Sequence, residues 1–306
     1  MDEITFGEVI RSIRKAKGMT QEEVAEGICS TSSLSKMENG SQVPSRQRFQ
    51  KIMERLGEPG YSYAHFFSSG EAEREQYRRE ALEALEGGRV ERAEELLLWW
   101  KKDADSEEDV MERQFWQTAE LLWRRIYEAP GPEYREKCME LFSLTRSSFC
   151  LQKEWREDNF TRTETLLLNN AGLGFLWEKR YREAAGVFLQ LYSINERTGK
   201  KRSDYRKKKA VLCGNLAVCF GEMGRLSDAA RYYARGTGCG REQGGVVLYL
   251  QLLRIGMGLA DRAGEEEEAF RERELIRRIV TDLWGRGEAG QRLSFFLRQP
   301  PGISIL

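Results

Sequence analysis

The chain has one histidine, six prolines, no net charge and no CxxC pair among its six cysteines, and each scarcity removes a class of function. A single imidazole, His65, excludes histidine-based metal sites and Ser-His or Cys-His catalysis. Cys29, Cys138, Cys150, Cys213, Cys219 and Cys239 are scattered, which argues against a zinc site or a disulfide framework; they read as small buried hydrophobes. No stretch approaches the roughly 18 uninterrupted apolar residues of a membrane span. The opening MDEITFGEVI lacks a basic segment followed by an apolar run, so residence in the cytosol is expected. No catalytic group, metal or cofactor is expected. With 49 basic against 49 acidic residues, bulk charge gives no pull toward nucleic acid, and any such attraction needs a local face.

What remains is helix. At 306 residues and 40% hydrophobic content the chain is long enough for two domains with a substantial core. Apolar residues recur at three- and four-residue spacing between short glycine or charged turns, and sustained β-branched alternation is missing, so the fold class is all-α.

Residues 5–57 divide into short helices with consistent punctuation. Phe6, Val9, Ile10 and Ile13 share one face of the first, which Gly18 ends. Thr20 and Glu23 have the spacing of a capping box that opens a second helix, with Val24, Ala25 and Ile28 facing inward. Ser30 is placed to cap a third helix, residues 31–39, with Leu34 and Met37 inward and Thr31, Ser32, Ser35 and Lys36 outward. Pro44-Ser45 opens a fourth carrying Phe49, Ile52, Met53 and Leu56.

The run G-M-T-Q-E-E-V-A-E-G-I-C at 18–29, followed by L-S-K-M-E-N-G at 34–40, resembles the Xre-type, lambda-repressor-like helix-turn-helix. The resemblance implies a third helix that enters the major groove of double-stranded DNA. It makes Gln21 and Asn39 phosphate anchors, with Thr31, Ser32, Ser35 and Lys36 reading bases and Ser30 at the helix start beside them. Short hydroxyls and one lysine lack the bidentate geometry of arginine on guanine, so no operator sequence is implied. Residues 1–57 hold nine basic and eight acidic side chains, so affinity rests on placement, through Arg14, Lys36, Arg46, Arg48 and Lys51.

Residues 58–70 form an aromatic-rich connector in which Tyr61, Tyr63, Phe66 and Phe67 are expected to pack on the following region or a second subunit. Beyond it, small residues at 93, 138, 184, 229 and 269 recur at spacings of 45, 46, 45 and 40, each soon after a turn such as Lys179-Arg180 or Gly224-Arg225. A large apolar residue follows four positions later at Leu97, Phe142, Phe188 and Tyr233, and Arg273 breaks that pattern. The repeat resembles the tetratricopeptide helix pair, which implies that residues 71–306 form a right-handed superhelix of about five pairs with a concave groove.

Aligning the two best copies puts Asn170 and Asn215 at one groove position, with Leu173, Trp177 and Val218 as pockets and Arg124 and Arg254 as partners for a ligand carboxylate. The asparagines either grip a peptide backbone or bridge neighbouring helices, and the arginines either bind ligand or sit in solvated ion pairs. The basic run around 200–209 and Glu265 to Glu268 read as solvated connections.

The two modules together resemble the peptide-sensing regulators of Gram-positive bacteria, the RRNPP family of Rgg, PlcR and NprR type. That resemblance implies a homodimer on a two-fold operator, controlled in quorum sensing by a short signalling peptide in the groove. Two alternatives stay open: an adaptor or sequestering regulator that binds a folded protein, and an auxiliary phosphatase acting on response regulators.

Overall fold

The computed structural model describes residues 6–58, 69–86, 89–103, 110–127, 131, 133–151, 153–155, 160–198, 204–243, 245–298 and 302–303. The connector aromatics Tyr61, Tyr63, Phe66 and Phe67, with His65, lie outside the described residues. Among the described residues there are fourteen helices and no strand. They are α1 (Phe6–Ala16), α2 (Gln21–Ala25), α3 (Thr31–Glu38), α4 (Arg46–Arg55), α5 (Ser69–Glu86), α6 (Val90–Asp103) and α7 (Val110–Tyr127). There follow α8 (Tyr134–Ser143), α9 (Arg162–Trp177), α10 (Tyr181–Thr198), α11 (Tyr205–Glu222), α12 (Leu226–Gln243), α13 (Gly245–Ala263) and α14 (Glu266–Arg298). None of the described helices is long and apolar enough to cross a membrane. By packing, the chain forms two compact units, residues 1–124 with 138–167 and residues 125–137 with 168–306.

In the first unit, α1 to α4 close around Ile10, Val24, Leu34, Met37, Phe49 and Leu56. Each large side chain so removed from water contributes about 1.5–3 kcal/mol, which short helices need because none is stable alone. The expected caps form. The Thr20 hydroxyl accepts from Glu23 N at 3.1 Å while Thr20 N donates to Glu23 Oε2 at 2.6 Å, and the Ser30 hydroxyl accepts from Ser33 N at 3.1 Å. Helix α2 is shorter than the periodicity suggests, because the chain turns at Gly27 with φ +70°. A Cβ on Gly27 would lie 2.7 Å from the backbone of Thr145, so this turn needs glycine for both torsion and space. Ile28 leaves the helix but still packs on the core.

A buried polar cluster ties α4 to the hairpin helices of the same unit. Arg55 donates to Glu164 Oε1 at 2.9 Å, and neither side chain is exposed to solvent. Thr145 Oγ1 donates to the same oxygen at 2.7 Å, and Thr161 N donates to Glu164 Oε2 at 2.8 Å. Thr161 accepts in return from Glu164 N at 3.2 Å, so the carboxylate also completes the cap of α9. Nearby, Arg78 reaches Glu112 at 3.1 Å, with Lys51 at 4.0 Å from the same oxygen.

The repeat is carried by the pairs α5/α6, α7/α8, α9/α10, α11/α12 and α13/α14. Its small anchors Ala93, Cys138, Ala184, Ala229 and Ala269 are all buried, at no more than 3% exposure. Four of the pairs close with one bond pattern: Arg89 N to Ala84 O, Arg180 N to Phe175 O, Arg225 N to Phe220 O and Glu265 N to Ala260 O, at 2.8 to 2.9 Å. In three of them the residue before the donor enters the left-handed region, at Lys179 (φ 61°), Gly224 (φ 73°) and Gly264 (φ 75°), as this helix stop requires. Close approach explains the large partner: a Cβ on Gly172 of α9 would lie 2.7 Å from the Phe188 ring of α10. In the second unit α11 packs on α10, α12 and α13. Cys138, Cys213 and Cys219 are buried and all six cysteines are free.

At the last pair, Tyr233 donates to Glu272 at 2.5 Å, and α13 passes both at Gly256, where a Cβ would collide with them. Burial raises the Glu272 carboxyl to about 7; the Tyr233 hydrogen bond opposes the rise and the Glu268 charge adds to it. A carboxyl whose folded pKa exceeds its unfolded value near 4.3 stabilises the fold fully below that value and loses the contribution as pH rises through about 7. Melting temperature should therefore fall between pH 5 and pH 8, and Glu272→Gln should flatten that fall. Superimposable pH profiles for parent and variant in thermal melts would exclude this origin.

Candidate functional site

The helix-turn-helix core decides what α3 presents. Leu34 and Met37 point inward, so the helical period leaves Ser32, Lys36 and the stop residue Asn39 exposed, with Ser30 before them and Thr31 and Ser35 half-buried at the edge. The polar face expected at helix three is thus open within its unit. Gln21 is half-buried, and its Nε2 donates to Glu38 Oε2 at 2.9 Å. Glu38 is in turn held by Arg14 through Nε at 2.5 Å and through the second guanidinium nitrogen at 2.7 Å. Burial alone would raise the Glu38 carboxyl, but hydrogen bonds from Arg14 and Gln21 bring it below the usual carboxylate range. This clamp fixes the end of α3 against α1, where Gly7 lets the helices touch: a Cβ there would lie 1.9 Å from Met37 O.

Two of the cations expected to draw DNA are placed otherwise. Arg14 is engaged by Glu38 and by Met19 O, and Lys51 is buried at 2% exposure beside Glu112. Their charges are neutralised inside the protein. Lys36 is exposed and Arg48 half-buried, while the Arg46 side chain lies outside the described residues.

The second candidate site lies between α9 and α11 in the second unit. Asn215 Oδ1 accepts from the backbone N of Ile303 at 2.6 Å, and its Nδ2 donates to the backbone O of the same residue at 3.0 Å. Asn169 Nδ2 donates to that carbonyl at 2.9 Å, and its Oδ1 accepts from Asn215 at 2.9 Å. Two side-chain amides therefore satisfy both polar groups of one backbone residue, as a neighbouring strand would. The Ile303 side chain is buried at 2% exposure; it meets Leu252 and Ile255 at Gly214, where a Cβ would lie 2.8 Å from Ile303 Cδ1. Gly302 adopts φ +101° and leans on Leu173, whose Cδ2 would be 2.3 Å from an added Cβ.

The asparagine pair is thus Asn169 with Asn215, one residue from the register inferred by alignment. Asn170 turns the other way and accepts from the Tyr134 hydroxyl at 2.9 Å. One residue is a rotation of about 100° on a helix, enough to exchange one neighbour for another. Leu173 is brought to the site, and Val218 lies one turn along α11 at 8% exposure. Trp177 packs on the Tyr134 ring at 5.1 Å and under the Arg125 guanidinium at 5.9 Å. Burial, with the like charge of Arg125, lowers Arg254 to about 10. Arg124 belongs to the first unit, where it pairs with Glu120 at 2.7 Å. Among the described residues, no group of three or more His, Cys, Asp or Glu is placed to hold a metal.

Residues 10–60 match the helix-turn-helix family model. No curated protein matches the chain. PlcR of Bacillus thuringiensis, solved in complex with the peptide PapR7 and DNA, is similar over 97% of this chain and 100% of its own, with a TM-score of 0.58 and 16% identity. The apo competence regulator ComR from Streptococcus vestibularis is similar over 94% of this chain and 96% of its own, with a TM-score of 0.52 and 14% identity. At these identities the likeness is one of fold, extending over nearly the whole chain.

Proposed function

We propose that this chain is a cytoplasmic, homodimeric transcription regulator that reads a DNA operator through α3 and is controlled by a short peptide bound in its repeat region. In this division residues 1–57 bind DNA, residues 58–70 connect, and residues 71–306 bind peptide and dimerise. The carrying observation is the open polar face of α3 on a capped, fully packed four-helix core. The helix-turn-helix match at residues 10–60 supports it, and so does the full-length likeness to PlcR, a protein solved with peptide and DNA on the same fold. Peptide control is supported by side-chain amides that pair with a backbone segment between α9 and α11.

A dimer that places two α3 helices in successive major grooves needs half-sites about 34–36 Å apart, or a multiple, and a ligand shifts occupancy only by favouring one spacing over another. Selection of random duplexes by the purified chain, followed by footprinting, should return a two-fold symmetric sequence. Retention that an excess of unrelated duplex abolishes equally for every recovered sequence would sink the proposal.

A further inference from the structure

The α9–α11 seat already holds a peptide, and the peptide is this chain. We infer that Gly302–Ile303 is an internal occupant of the Asn169–Asn215 clamp, and that an incoming peptide binds there by displacing it. The ligand class follows from the seat: an extended segment with glycine followed by an aliphatic residue. This inference rests on the proposed peptide control and names its site and its competitor.

Three features of the seat carry it. The clamp reads backbone: among the described residues, Asn169 and Asn215 bond to the N–H and C=O of Ile303. Any extended peptide offers the same pair of groups. Asn215 is fully buried, so a seat without a backbone in it would strand the amide away from water; the clamp is stable only when filled. The flanking shape is selective. Gly214 leaves the space in which the Ile303 side chain meets Leu252 and Ile255, and Leu173 crowds the residue before it, where the left-handed φ already calls for glycine.

Tethering sets the competition. A segment of the same chain acts at an effective concentration on the order of millimolar, so a free peptide of equal intrinsic affinity sees a mostly closed seat. Its apparent affinity is reduced by the fraction of molecules whose seat is open. Weakening the internal segment raises that fraction without touching the clamp.

The test uses the full chain and a fluorescein-labelled synthetic peptide, Pro-Pro-Gly-Ile-Ser-Ile-Leu, which copies residues 300–306. By fluorescence anisotropy the parent should bind it weakly, and Ile303→Asp at least tenfold more tightly. Ile303→Ala, a milder change, should fall between them. Adding Asn215→Asp to Ile303→Asp should remove the gain, because one of the two donors to the peptide carbonyl is replaced by a carboxylate oxygen that repels it. A probe with aspartate in place of its first isoleucine should not bind either form. Equal affinity of parent and both Ile303 variants, with thermal melts showing all three folded, overturns the inference, as does an undiminished gain in the double variant. A thermal-shift screen of a short-peptide pool separates the two levels. A peptide that binds parent and Ile303→Asp equally refutes internal occupancy and leaves peptide control standing, whereas no binding to either form refutes both.

Discussion

Replacing Glu164 with alanine is expected to destabilise the first unit by about 3–5 kcal/mol, the cost of removing one partner from a buried ion pair. Both Glu164 and Arg55 are at 0% exposure, so solvent does not screen the loss. The same carboxylate accepts from Thr145 and from the backbone of Thr161, and Arg146 lies 3.5 Å away. Arg55 closes the last turn of α4, so its release also loosens the helix-turn-helix core from the hairpin helices of the same unit. In a unit of this size the melting temperature should drop by about 6–20 °C. The double variant Arg55→Met with Glu164→Leu should be less destabilised than Glu164→Ala alone, because apolar side chains of similar volume remove the buried guanidinium of Arg55 together with its carboxylate. Urea unfolding of the three proteins decides the matter; a single variant within about 1 kcal/mol of the parent would show that the pair contributes little.

The second large effect concerns DNA. Ser32→Glu combined with Lys36→Glu puts two carboxylates on the exposed face of α3 and removes its cation, at side chains that make no core contact. Affinity for a selected operator should fall at least about a hundredfold, roughly 2.7 kcal/mol, while the melting temperature stays near that of the parent. The milder Lys36→Ala distinguishes the role of the lysine. A phosphate contact lowers affinity for all duplexes and reduces the salt slope by about one, whereas a base contact relaxes preference at one position. Titrations by anisotropy at several salt concentrations resolve these, and unchanged operator affinity in the doubly acidic variant would remove α3 from the interface.

Local chemistry was legible in the residues. The Thr20–Glu23 box and the Ser30 cap form as their spacing implies, and the five small anchors are buried, because both signals act within one or two helical turns. What depended on distant partners was not. Helix α2 stops at Ala25 because Gly27 meets Thr145, far along the chain. Arg14 and Lys51 read as free cations, since a sequence shows the sign of a charge and not the carboxylate it will face. Alignment chose Asn170 where the structure pairs Asn169, because a repeat spacing that alternates between 45 and 46 cannot fix the phase of a helix to one residue. Thr161 and Glu164 did carry a readable capping signature, whereas nothing near Ile303 announced a partner 88 positions earlier.

The Arg14–Glu38 clamp also bears on how such a protein would travel. Side chains locked to an internal carboxylate displace no sodium or potassium from the phosphates of a duplex, so they add nothing to loose, sequence-blind binding. On the proposed reading, the protein's hold on an operator then depends less on ionic strength than a count of its basic side chains suggests.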